Sequence, residues 1–311
     1  MEKQKKEMHV TRIKKSVGDY VFEIALIVLF SLFTLLCIFP FYYLLINTIS
    51  DNDAVTSGLV NFYPIGFHLT NYQNLLNASD LGNALIVTIA RTILGTAVMV
   101  LTSAWAGYLV TKQHMWKRSL WYRALVITMY FNAGLVPWYM NMLMLGLTDN
   151  FLAYIIPGMV APYNIILVKT YIESIPASLE ESATIDGATT TKIFLKIILP
   201  LSVPILATIA IFAAVNQWNS FQDNLLLMTN RPDLDTLQYK LWQYITQANS
   251  LKALISNTTN SSAIMAGMAT AATATSIRMS VTVVVVFPVM MIYPFFQRYF
   301  TKGIMIGAVK G

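Results

Sequence analysis

The chain has 311 residues, 56% of them hydrophobic and 12% charged, against roughly 25% charged residues in an ordinary soluble domain. Repeated apolar runs of about twenty residues or more exclude a water-soluble globule, whose helices are interrupted by polar faces. The net charge of +6 does not point to nucleic acid, because the Lys and Arg residues cluster in short segments flanking the apolar runs, as membrane orientation requires.

In chain order, residues 1–19 read as a basic cytoplasmic arm and residues 20–46 as a first transmembrane helix. That run is too long for a signal-peptide core and lacks a small-residue cleavage site. It carries the single cysteine, Cys37, so neither an intrachain disulfide nor a cysteine-based metal site can form. Residues 47–83 read as an extracellular loop, and residues 84–300 as the core. Within the core, apolar segments at 84–110, 120–142, 151–172, 199–215 and 281–300 are each long enough to cross about 30 Å of hydrocarbon. Backbone groups in lipid must pair within their own segment, so helices are expected. The chain therefore reads as all-α, a polytopic membrane protein with six transmembrane helices.

Charge sets the orientation. Lys112, Lys117, Arg118, Arg123, Lys192, Lys196, Lys302 and Lys310 fall on the same side as the basic arm, whereas residues 47–83 and 143–150 contain no Lys or Arg. Both termini are thus expected in the cytoplasm. The extracellular loop at 219–278 carries Arg231, Lys240 and Lys252, but charge weighs little in a connection that long.

The segment from Ile175 to Pro204 has the layout of two short helices. Pro176 opens the first, Gly187 supplies the freedom a tight turn needs, and Thr189 or Thr190 can cap the second. Ile193, Phe194, Ile197 and Ile198 form an apolar stripe, and Pro200 suits the first turn of the next span. Taken alone, these residues also fit an amphipathic helix lying on the bilayer surface with Glu180 and Glu181 solvated.

Glu181-Ser182-Ala183, then Gly187, then Ile197, Leu199 and Pro200 reproduce without insertion the spacing of the EAA loop of ATP-binding-cassette (ABC) importer permeases. The chain resembles that family, departing only in Ser182 where Ala is usual. Asp186-Gly187-Ala188 and the Leu199-Pro200 pair resemble its sugar-importing, maltose-type branch, and the single leading span is similar to that branch's smaller permease subunit.

The resemblance implies a type I ABC importer permease fold with a cytoplasmic coupling loop at 175–200. It implies that Glu181, Ser182, Ala183, Asp186, Gly187, Ala188, Phe194, Leu199 and Pro200 serve ATPase coupling, with Glu181 as an ionic latch. The tail at 301–311, ending in Val-Lys-Gly, is similar to tails that enter the ATPase interface, which marks Gly303, Gly307, Lys310 and Gly311; a frayed basic end is the alternative. The implied partners are a second, different permease subunit, two ATPase subunits holding ATP and Mg, an extracellular solute-binding protein, a carbohydrate and membrane lipid. No cofactor is expected on this chain, which has no phosphate-binding loop, and no catalytic or metal motif is present.

Polar residues within spans are costly enough to suggest function. Arg91 reads either as such a residue or as a side chain snorkelling to the surface. Asn216, Trp218, Asn219 and Gln222, with Tyr130, Asn132 and Trp138, offer amides and aromatic faces for a sugar; interfacial anchoring explains the aromatics equally well. The segments 237–248 and 263–275 read either as outward docking elements or as packing. An importer for peptides or polyamines shares the loop spacing, and a secondary transporter would instead show inverted repeats.

Overall fold

The computed structural model describes residues 16–77, 79–256, 275–292 and 294, and every described regular element is helical. The tail residues 303–311 and most of the segment 263–275 lie outside the described residues.

Helix α1 spans Val17–Thr48, longer at both ends than its apolar run. Ser16 starts it with a capping box: its hydroxyl accepts from the Gly18 amide, and its own amide donates to Asp19 Oδ2 at 2.7 Å. Nearly the whole helix is exposed; burial is confined to its last residues, Ile46, Asn47 and Thr48, where Val55 and Val60 of the following loop pack. That loop contains the short helices α2 (Asn52–Thr56) and α3 (Thr70–Asn77).

Helix α4, Ser79–Thr111, is the central strut. By the helical rise of 1.5 Å per residue its 33 residues extend about 50 Å. Its small residues let neighbours come close: a Cβ on Gly107 would lie 2.9 Å from Val168 Cγ1, so this face of α4 sits against α7 (Pro162–Ile172) with no room for a side chain. Tyr108 and Ala104 of α4 join Val168, Ile172, Ile193, Phe194, Ile198 and Ile209 in one buried core.

Three expected spans are not single rods. The third is α5 (Arg118–Tyr130) and α6 (Leu135–Met144), interrupted where Asn132 Oδ1 accepts from the Gly134 amide at 2.9 Å and Gly134 adopts φ +88°. In the fourth, Pro157, Gly158 and Pro162 break the ladder, so 3₁₀ turns at Phe151–Tyr154 and Ile156–Gly158 meet α7 at 47°. Ahead of the fifth, the chain bends by 78° between Thr190–Leu201 and α11 (Val203–Asn219), at Ser202 between Pro200 and Pro204.

Among the described residues three single helices are long and apolar enough to cross a membrane, and up to five segments are if each bent pair counts as one. The last of them, Thr275–Ile292, packs through Val281 and Val285 on Trp218 and Leu237.

Candidate functional site

The coupling segment folds as its turn residues dictate. Helix α8, Ser178–Ile185, ends in a Schellman motif: the Ala188 amide returns to the Ala183 carbonyl at 2.9 Å and the Gly187 amide to Thr184 at 3.0 Å. Gly187 supplies the required left-handed backbone at φ +76°. Thr189 then caps α9 (Thr190–Ile193), its hydroxyl accepting from the Lys192 amide at 3.4 Å. A π turn at Phe194–Ile198 and helix α10 (Leu199–Leu201) complete the segment, with Pro200 exposed. The π turn precedes Pro200, which has no amide hydrogen to donate into the ladder.

Glu181, Ser182, Asp186 and Gly187 form an exposed edge, with Ala183 and Ala188 half-buried behind it. Ile185, 86% exposed, and Leu179 add apolar surface to the same element. Phe194, expected on the ATPase-facing side, is buried instead. Its ring is tilted against Tyr108, with centroids 5.2 Å apart, and meets Trp105 edge-on at 4.8 Å. Ile193 and Ile198 are buried with it and Leu199 packs on the same core, so the apolar stripe fastens the segment to its own bundle.

The end of α4 holds this element from two sides. Lys112 pairs with Glu180 of α8 and lies 4.0 Å above the Tyr108 ring, while the Tyr108 hydroxyl reaches the Thr190 carbonyl at 3.5 Å. Glu180, considered solvated in the surface-helix alternative, is thus engaged. Among the described residues Glu181 has no ion pair and faces, with Lys112, His114, Arg118 and Glu173, a polar recess of about 520 Å³. The Lys112 contacts were missed in the sequence because 68 residues separate the partners.

A second polar cluster lies toward the other end of α4. Arg91 is 1% exposed and does not snorkel. Its guanidinium binds Asp223 at 2.5 and 3.2 Å, Gln217 Oε1 at 3.0 and 3.2 Å and the Ser220 carbonyl at 3.4 Å, and stacks on Tyr154 at 4.3 Å. These contacts hold α12 (Gln222–Leu227) against the strut. The connection beyond is fastened in turn: Asn224 bonds Asp235, Lys240 pairs with Asp235 at 2.9 Å, and the Leu237 amide donates to Thr88 Oγ1 at 2.8 Å.

The expected sugar-contact residues do not form one patch. Trp218 is buried and donates its indole N–H to the Val285 carbonyl at 3.0 Å, which makes it a packing residue. Asn132 shapes the break after α5, Tyr130 is exposed, and Trp138 packs beside Met142 and Leu227. Asn219 and Gln222 are exposed, and only Asn216 of the group lines a polar cavity, together with Asn164, which sequence reasoning did not single out.

The chain matches the family model "Binding-protein-dependent transport system inner membrane component" over residues 10–306 and belongs to that family. It is 32% identical over 280 residues to the polygalacturonan/rhamnogalacturonan transport system permease protein of Bacillus subtilis (strain 168), covering 90% of this chain and 95% of that one. It is 26% identical to an arabinooligosaccharides transport system permease protein of Halalkalibacterium halodurans, covering 91% and 94%. Its fold superposes with a TM-score of 0.79, at 30% identity, on a chain of a bacterial ABC transporter that imports the acidic polysaccharide alginate, covering 92% of this chain and 99% of that chain. The protein is accordingly a membrane-embedded transport subunit with the type I ABC permease fold, not an enzyme, and its family works with a further permease, an ATPase and a solute-binding protein.

Proposed function

We propose that this subunit imports a carbohydrate, turning ATPase closure into alternating access through the exposed edge Glu181 to Gly187. One observation carries the substrate class: relatives at 26% and 32% identity, each aligned over nine-tenths of this chain, carry names that specify arabinooligosaccharides and polygalacturonan/rhamnogalacturonan. The fold match to the alginate importer agrees. The reading has six spans with both termini cytoplasmic, a different permease subunit completing the pore, and two ATPase subunits holding ATP and Mg. The orientation in this reading is supported by Arg118 and Lys169, which both pair with Glu173 beside the proposed coupling element.

Glu181 offers its carboxylate to a basic ATPase side chain, with Ile185 and Leu179 as the apolar contact. Truncating one half of such an interfacial pair costs roughly 2 to 5 kcal/mol. The test is ATP-dependent uptake of labelled trigalacturonate and arabinotriose into proteoliposomes holding the complete complex, with a labelled peptide as control. Sugar uptake that disappears in Glu181→Ala supports both coupling and substrate class. Peptide uptake without sugar uptake refutes the substrate class, and uptake indifferent to Glu181 refutes the coupling role.

A further inference from the structure

An unassigned groove with both amide and apolar walls lies between α4, the entrance to α7 and α11, with a volume of about 270 Å³. It is lined by Gly95, Met99, Gly158, Asn164, Phe212 and Asn216, and Gln217 forms one wall. Gly95 is the middle residue of α4, 16 residues or about 24 Å from its Thr111 end, so a roughly 30 Å hydrocarbon slab centred on that helix would enclose the groove. Asn216 is exposed in the last turn of α11, where Gln217 and Asn219 flank it after a largely apolar run. An amide placed there needs a polar partner or a water-filled path.

The walls are built for an amide floor. A Cβ on Gly95 would come within 2.5 Å of Gln217 Nε2, so that glycine makes room for this side chain, and Gly158 lies on its other side. Gln217 is locked in place: its carbonyl accepts twice from Arg91 and its amide donates to the Tyr154 carbonyl at 3.2 Å. Asn164 gives a hydrogen to Met99 Sδ at 3.2 Å, a weak acceptor. Among the described residues no ionised side chain lines the groove, and the nearby Arg91 is neutralised by Asp223.

We propose that this groove is a solute-contact site in which Asn164 and Asn216 bind the hydroxyls of an uncharged stretch of the transported oligosaccharide. Amides supply both donor and acceptor to each hydroxyl, while Phe212 and Met99 offer apolar surface to the C–H face of the ring. Carboxylates of an acidic saccharide find no cation here. The inference rests on the carbohydrate-import reading.

The test uses the complete complex in proteoliposomes, with Cys37→Ser as background and Asn216→Cys as the reporter for a water-soluble methanethiosulfonate reagent. Labelling is expected, and arabinotriose supplied through the solute-binding protein at twice its half-saturating concentration slows it about threefold at a fixed nucleotide state. Asn164→Leu combined with Asn216→Leu lowers arabinotriose uptake about tenfold, from two lost hydrogen bonds. No labelling places Asn216 against lipid or the other permease and overturns the proposal. Labelling indifferent to sugar overturns it too, and protection by trigalacturonate alone overturns the uncharged class. If the wild-type complex imports neither sugar, the carbohydrate reading falls and the groove with it; wild-type import with indifferent labelling refutes the groove alone.

Discussion

Arg91→Met tests whether the buried cluster holds the connection after α11 to the strut. Removing the guanidinium strips Asp223 of its cation in a site where Arg91 is 1% exposed. Losing one half of a buried pair costs about 3 to 5 kcal/mol. Asp223 Oδ1 keeps two donors, Ser220 Oγ at 3.1 Å and the Asn224 amide at 3.0 Å, so the lower figure, about 3 kcal/mol, is expected. At about 1.4 kcal/mol per factor of ten, that is a loss of roughly 150-fold in protection against local opening. Hydrogen exchange of the Asn224 and Leu237 amides in the assembled complex measures it directly. Asp223→Asn should open the same segment, and the double variant should lose less protection than the two single effects combined. Protection that falls less than threefold in Arg91→Met, or single effects that simply add, would refute the argument.

Four other expectations follow from the packing. Gly187→Ala forces a side chain into φ +76°, which costs about 1 kcal/mol and weakens ATPase capture about fivefold. Lys112→Ala and Glu180→Ala each release α8 from α4; the pair is about a quarter exposed, so the effect on stability is about 0.5 to 1 kcal/mol after screening. Sugar moved per ATP should fall in both, and the charge-swapped double variant should restore it. Gly107→Ala drives a methyl into Val168 and costs about 1 to 3 kcal/mol, seen as a lower melting temperature partly rescued by Val168→Ala. Hydrogen bonds from the Asn230 backbone and side chain hold the Asp149 carboxyl below its ordinary 3.8. The folded value is depressed, so this clip is intact above 3.8 and is lost as pH falls through the folded value. Exchange at the Asn230 amide should rise only in that acid range, and Asp149→Asn should abolish the dependence.

Local chemistry was legible in the sequence wherever it acts over a few residues. Gly187 and Thr189 end and restart helices as their types require, and the long apolar runs located α1 and α4. Direction across the bundle was not legible. Phe194 belongs to an amphipathic stripe whichever way it turns, and the aromatic pocket made by Trp105 and Tyr108 some 90 residues earlier decides that it faces inward. Trp218 looked like a sugar platform until its N–H was found committed to Val285. The break after α5 was hidden because Asn132-Ala133-Gly134 is too short to lower the hydropathy of the run. Arg91 was ambiguous because its acid, Asp223, comes 132 residues later.

The exposed surface of α1 and the exposed Ile185 have opposite meanings for a newly made subunit. Lipid solvates the apolar flank of α1 as well as another protein would, so an orphan subunit suffers no hydrophobic penalty there and gives the membrane no sign that it is alone. Ile185 faces water, where an uncovered aliphatic side chain beside Glu181 costs free energy until an ATPase covers it. Completeness of the transporter is therefore displayed on the aqueous side, at the coupling element, and protein quality control has a chemical mark to read there.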